Sequence, residues 1–220
     1  MIYLVLLGPP GSGKGTLATA LCEREGLNHI STGDLLRQAV ETAGDLGCQV
    51  REYLASGSLV PDETVATIVR AHLTERQGDY NGAVLDGYPR TLGQANDLKA
   101  ILAELGQALT AAILIDVPED VLLARLTGRR SCPGCHLIYH ITGAPPREEG
   151  RCDGCGSTLV HRPDDESSTI RRRMELFEMQ TPPLKDFYQA DGCIVTVRGD
   201  RDACEIVAEV DGILALRTKT

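Results

Sequence analysis

The sequence predicts an α/β fold, a parallel β-sheet with helices packed on both faces. Two observations predict it. Short, continuous apolar runs alternate with longer amphipathic ones. The apolar runs are unbroken by polar residues, as strands buried on both faces require, which fits parallel strands joined by helical crossovers.

The elements follow in order. Ile2–Leu7 reads as a buried strand closed by Gly8-Pro9-Pro10, and a helix is expected to begin near Lys14. Leu27–Ile30, Gly82–Asp86, Ala111–Asp116 and Cys193–Val197 read as further buried strands. Over Asp62–Arg76, Val65, Ile68, Val69 and Leu73 fall on one helical stripe, with Asp62 after Pro61 as the expected N-cap. Pro118–Leu126 opens on proline and two acids, which suits a helix start and its dipole. One stretch breaks the pattern: from Gly128 to about Asp165, glycines and prolines recur and no helical period appears. A structureless loop of that length is unusual inside a compact domain. The expectation is a small inserted domain held by something other than an apolar core.

Composition narrows the function. The 220 residues carry a net charge of −9, with 42% hydrophobic and 24% charged residues, the profile of a soluble globular chain. Such an acidic chain is a poor binder of nucleic acid or anionic membranes. No apolar stretch approaches the roughly 20 residues that span a bilayer. The N-terminus reads as lacking a secretory leader. The expectation is therefore a cytoplasmic protein with reduced thiols, where clustered cysteines hold metal more often than they form bridges.

The eight cysteines then divide. Cys132-Pro-Gly-Cys135 and Cys152-Asp-Gly-Cys155 form two knuckles with the spacing of a tetrahedral four-cysteine Zn²⁺ site. A redox pair would normally follow a strand and open a helix, and neither knuckle is set that way. A full cysteine set leaves no open position, so the metal would fold the segment rather than perform chemistry. His136, His140 and His161 lie nearby but are not needed as ligands. Cys22, Cys48, Cys193 and Cys204 stand alone and read as small buried apolar residues.

The sequence Gly8-Pro-Pro-Gly-Ser-Gly-Lys-Gly-Thr16 has the Walker A spacing directly after the first strand. Its glycines let successive N–H groups converge on a phosphate, the following helix points its positive end there, and Lys14 adds a full charge. The motif usually has Ser or Thr after the lysine as a Mg²⁺ ligand. Here that position is Gly15, and Thr16 comes one later. Asp86, ending its apolar run as a Walker B acid does, is the candidate to hold Mg²⁺, directly or through water.

This loop resembles that of the nucleoside monophosphate kinases, most closely their long-lid, zinc-bearing adenylate kinase branch. Ordered matches follow at Ser31-Thr-Gly-Asp-Leu-Leu-Arg37, Leu59-Val-Pro-Asp62, Leu85-Asp-Gly-Tyr-Pro-Arg-Thr91, Gly128-Arg-Arg130, Arg162-Pro-Asp-Asp165 and Arg171-Arg-Arg173. They span nearly the whole chain, and the ordered set carries the specificity. The resemblance implies a P-loop NTPase-type five-stranded parallel sheet. Residues 1–30, 61–127 and 166–220 would be the core, 31–60 an AMP-binding insertion and 128–165 the zinc lid. It implies transfer of a phosphoryl group from Mg·ATP to AMP, giving two ADP, by a monomer. Gly11, Ser12, Gly13, Lys14, Gly15 and Thr16 would cradle the ATP phosphates, with Arg125 by the ATP base and Ile138, Tyr139 and Arg201 as weaker contacts. Thr32, Arg37, Gly87, Arg90 and Gln94 would bind AMP, with Leu59 and Val60 near its adenine. Arg129, Arg162 and Arg173 would surround the transferred group, with Lys14 and Arg90. Arg171 and Arg172 read as solvated. Tyr88 replaces the family's usual Phe, a change expected to be mild. A UMP/CMP kinase is the near alternative, disfavoured by Thr32 and Gln94. A zinc-ribbon nucleic-acid-binding NTPase is the distant one, disfavoured by charge and few aromatics.

Overall fold

The computed structural model describes residues 1–41, 45–76, 78–135 and 137–217, leaving aside the side chains at 41–49, 163 and 167. The strands are β1 (Ile2–Leu7), β2 (Asn28–Ser31), β3 (Gly82–Asp86), β4 (Ala111–Asp116), β5 (Arg129–Ser131), β6 (Ile138–His140) and β7 (Ile194–Arg198). The helices are α1 (Lys14–Glu25), α2 (Thr32–Glu41), α3 (Asp45–Ser56), α4 (Asp62–Glu75), α5 (Leu92–Glu104), α6 (Glu119–Thr127), α7 (Ser167–Ala190) and α8 (Ala203–Arg217). Five strands form one parallel sheet in the order β2-β3-β1-β4-β7. The predicted architecture is therefore present.

The continuous apolar strands are explained by two cores. Along β1, Tyr3, Val5 and Leu7 face a layer that includes Val69, Leu73, Leu98 and Ile101 of α4 and α5. Leu4 and Leu6 face the opposite layer, with Leu17 and Leu21 of α1 and Val207, Val210 and Leu214 of α8. Alternate side chains leave opposite faces, and both faces are covered.

Three predicted strands keep their bounds and two slide by one residue. Leu27 is held at the α1 C-terminus, where its N–H donates to Cys22 O (3.2 Å). Cys193 is held likewise by Tyr188 O (3.0 Å) after α7. A helix C-cap thus competes for the first apolar residue of each run. Asp62 departs from the reading as well. Pro61 occupies the N-cap, and the Asp62 side chain makes no cap bond.

The segment after α6 holds β5 and β6 as an antiparallel pair, with an isolated bridge from Ser131 to Val160. Its buried cluster is Cys132, Tyr139, Cys152 and Leu159. No helix among the described residues is long and apolar enough to cross a membrane.

Candidate active site

The sheet delivers the phosphate loop, Thr32 and Asp86 to one edge, because β1, β2 and β3 are parallel and the connections at their carboxyl ends carry these residues. Gly13 caps α1 in the left-handed region (φ 96°). A Cβ there would meet nothing within 4 Å, so open space faces the start of the helix. Lys14 folds back, donating to Gly8 O (2.7 Å) and Pro9 O (2.9 Å). Burial pulls its ammonium pKa down to about 8; Asp86 opposes this, and Arg90, Arg173 and Arg129 push the same way. Thr16 is exposed. A Cβ at Gly15 would stand 3.5 Å from Asp86 Oδ2, so the position that usually bears the metal-binding hydroxyl adjoins this carboxylate. His29 Nε2 lies 3.7 Å from the same oxygen.

Arginines reach this region from separate elements: Arg37 from α2, Arg90 after β3, Arg129 from β5, Arg162 before a 3₁₀ turn at Pro163–Asp165, and Arg173 from α7. Geometry brings them together: Arg37, Arg90 and Arg173 line one cleft, Arg129 and Arg173 share Asp165, and Arg37 and Arg162 share Asp34. Desolvation and then Arg173 lower the Arg90 guanidinium pKa, although Arg90 keeps solvent contact. Burial, Arg37 and Arg129 lower that of Arg162 to about 10. Three acids balance the cluster, of which Asp165 is buried and Asp34 and Asp164 are half-buried. Arg129 Nε donates to Asp165 Oδ2 (2.7 Å), and its Nη2 bonds Oδ1 of the same fully buried carboxylate. Arg173 Nη1 pairs with Asp164 Oδ2 (2.9 Å) and Asp165 Oδ1 (3.3 Å). Asp34 bonds Arg37 and lies 3.9 Å from Arg162. Burial would raise the Asp164 carboxyl, but Arg173, Arg37, Arg129 and Arg162 together hold it below the ordinary range.

A cleft opens beside the cluster. Thr32, Arg37, Leu59, Val60, Gly87, Arg90, Gln94 and Arg173 line it, with Leu36, Leu54, Val65 and Asp164. Of the predicted AMP set only Arg162 is outside the lining. Thr32 Oγ1 (2.9 Å) and Arg90 Nε (2.8 Å) both donate to Gly87 O.

Other predicted residues are less directly placed. Arg125 Nη2 donates to Gly199 O (2.9 Å). Arg201 turns onto Glu209 of its neighbouring helix. Ile138 is exposed. The Tyr139 side chain is committed to the cysteine knuckles: its hydroxyl accepts from Asp153 N (2.8 Å) and lies 3.5 Å from Cys152 Sγ. Arg171 and Arg172 are exposed, as expected.

Cys132, Cys135, Cys152 and Cys155 offer sulfurs that all lie within 4.8 Å of one another. Tetrahedral Zn²⁺ with bonds of about 2.3 Å needs sulfurs about 3.8 Å apart. The donor set therefore fits. His136 lies outside the described residues, and so does the Cys48 side chain. Of the other single cysteines, Cys193 is buried and Cys22 half-buried, but Cys204 is exposed. That corrects the core assignment. The buried stripe of α8 is Ile206, Val207, Val210 and Leu214, and Cys204 falls off it.

Reading the residues missed the acids Asp34, Asp164 and Asp165 as counter-ions. Their adjacency to arginines in the quoted motifs was the available signal.

A strand–phosphate loop–helix unit beside a cluster of arginines at a cleft defines a P-loop phosphotransferase. The family model described as adenylate kinase matches residues 6–193. An adenylate kinase of Syntrophomonas wolfei is 44% identical over 207 residues, covering 94% of this chain and 96% of the relative. One from Oceanobacillus iheyensis is 44% identical over 211 residues, covering 96% and 98%. One from Thermotoga neapolitana is 44% identical over 220 residues, covering both chains completely. The chain belongs to the adenylate kinase family.

Proposed function

We infer that the chain catalyses reversible phosphoryl transfer from Mg·ATP to AMP, giving two ADP. The observation that carries this reading is the convergence of Arg37, Arg90, Arg129, Arg162 and Arg173 with Lys14 between a phosphate loop and a cleft. In-line transfer between two polyanions needs positioning and charge neutralisation more than covalent chemistry. The backbone of Gly11, Ser12, Gly13, Gly15 and Thr16, with Lys14, cradles the ATP phosphates. Arg37 and Arg90 orient the AMP phosphate, Thr32, Leu59, Val60, Gly87 and Gln94 hold the nucleoside, and Arg129, Arg162 and Arg173 face the equatorial oxygens of the transferred group. Arg125, Ile138 and Arg201 flank the ATP side, with Tyr139 contributing through its backbone. Each lost transition-state donor of this kind costs about 3–4 kcal/mol.

Asp86 fits Mg²⁺, and when bound the ion neutralises charge on the β- and γ-phosphates. The four cysteines fit structural Zn²⁺, which would organise 128–165 as a lid. Residues 31–60 form the monophosphate arm, and 1–30, 61–127 and 166–220 the core. Closure of lid and arm excludes water, which would otherwise accept the phosphoryl group. The protein works as a cytoplasmic monomer with reduced thiols. A coupled assay should detect ADP only when ATP and AMP are both present. ATP hydrolysis without acceptor, or preference for UMP or CMP, would overturn the reading.

A further inference from the structure

The acid expected to cap α4 is used elsewhere. The Asp62 carboxylate crosses to the start of α5, where Oδ2 accepts from Thr91 Oγ1 (2.5 Å) and Oδ1 accepts from Gln94 Nε2 (2.7 Å). Gly93 makes this approach possible, since a Cβ there would stand 3.0 Å from Oδ2. The other end of the Gln94 amide is also held, with Oε1 accepting from the Arg90 backbone N–H (2.7 Å). Gln94 is 2% exposed and lines the cleft.

A primary amide has nearly the same shape after a half-turn, so its surroundings must decide which end carries the donors. Here both ends are decided. A carboxylate can only accept and therefore faces the NH₂ group, and a backbone N–H can only donate and therefore faces the carbonyl. The reversed amide would set oxygen against oxygen and N–H against N–H. After these bonds, one Nε2 proton and one Oε1 lone pair remain.

We propose that Asp62 is a positioning residue that sets the base specificity of the acceptor cleft by locking the Gln94 amide. The locked amide offers one donor and one acceptor of fixed sense. Adenine complements them with its N6 amino donor and N1 acceptor. Hypoxanthine, nearly equal in size, reverses both with an O6 acceptor and an N1–H donor. Asp62 itself touches no substrate. The proposal rests on the reading that Gln94 faces the base of the acceptor nucleotide.

The test measures kcat/KM for AMP and for IMP, with ATP as donor, in Asp62→Ala, Gln94→Met and the double variant. Alanine is chosen because an asparagine would still present an acceptor oxygen to the Gln94 NH₂ group and an NH₂ donor to the Thr91 hydroxyl. In Asp62→Ala the AMP-over-IMP preference should fall about tenfold or more, the discrimination a paired amide–adenine contact provides. KM for ATP should hardly move. The double variant should discriminate no worse than Gln94→Met alone. A merely structural role would slow both acceptors equally and leave their ratio unchanged. If Gln94→Met keeps the ratio, the base-reading role of Gln94 fails and the proposal with it. If Gln94→Met collapses the ratio and Asp62→Ala preserves it, the Asp62 proposal alone is overturned. Should Asp62→Ala not fold, Asp62→Leu fills the space with no acceptor, and an unchanged ratio there overturns the proposal equally.

Discussion

Along β1, every residue from Tyr3 to Leu7 is buried, and the layers on its two faces come from helices spread over most of the chain. Between Arg129 and Val160 the buried cluster among the described residues is Cys132, Tyr139, Cys152 and Leu159, two of them cysteines, while Leu137, Ile138, Ile141 and Val160 stand exposed. The difference teaches how size sets the means of folding. A sheet of this extent is held by apolar area, at about 1.5–3 kcal/mol for each large side chain buried. A segment as small as the one from Arg129 to Val160 cannot bury enough, and its four cysteine sulfurs are gathered where a metal ion would hold it. Between the two, the arginine cluster is held by neither, and is paired with Asp34, Asp164 and the buried Asp165, which oppose its charge.

The largest effect should separate chemistry from folding. Arg90→Ala or Lys14→Met should cut turnover by about 100-fold or more while the melting temperature stays within a few degrees. Calorimetry alongside the coupled assay checks it, and a matching collapse in stability would move these residues to the scaffold. Next, Cys152→Ser should abolish binding of about one Zn²⁺ per chain. Hydrogen exchange should then show lost protection over 129–160 and unchanged protection in β1 and β3; uniform loss would mean that lid and core fold as one unit. A smaller effect is expected from pH. With the Lys14 ammonium pKa at about 8 in the free chain, kcat/KM for ATP should fall severalfold above that pH, because the neutral amine offers no charge to phosphate. Over the same range the unfolded chain binds more protons, so the nucleotide-free protein should gain stability from about pH 8 toward the ordinary lysine value of about 10.4. A flat profile would show that Lys14 is not titrating there. The smallest effect concerns Tyr88, which is fully buried with no hydrogen-bond partner for its hydroxyl among the described residues. Tyr88→Phe should raise stability by about 1 kcal/mol with turnover unchanged, read by chemical denaturation.

The parts legible beforehand were those written over short spans. The phosphate loop and the two cysteine knuckles are complete within a few residues, and their spacing alone names the chemistry. The stripe of Val65, Val69 and Leu73 marks a helix face because one turn sets its period. Where two local rules compete, the reading slips. Leu27 and Cys193 are apolar enough for a strand but are taken by helix caps. Cys204 has the composition of a core residue but sits off the buried stripe of its helix.

The sequence by itself determined the layered class, the phosphate loop, the cysteine knuckles and the family, because each depends on periodicity or spacing that survives in one dimension. Only the tertiary structure decided which acid meets which arginine, that Asp62 bonds Gln94 rather than capping its own helix, and that Tyr139 serves the knuckles. The Asp62–Gln94, Arg129–Asp165 and Tyr139–Asp153 pairings join residues 32, 36 and 14 positions apart. They are set by strand register and by how helix ends pack, and a single polar residue carries no pattern that announces its partner.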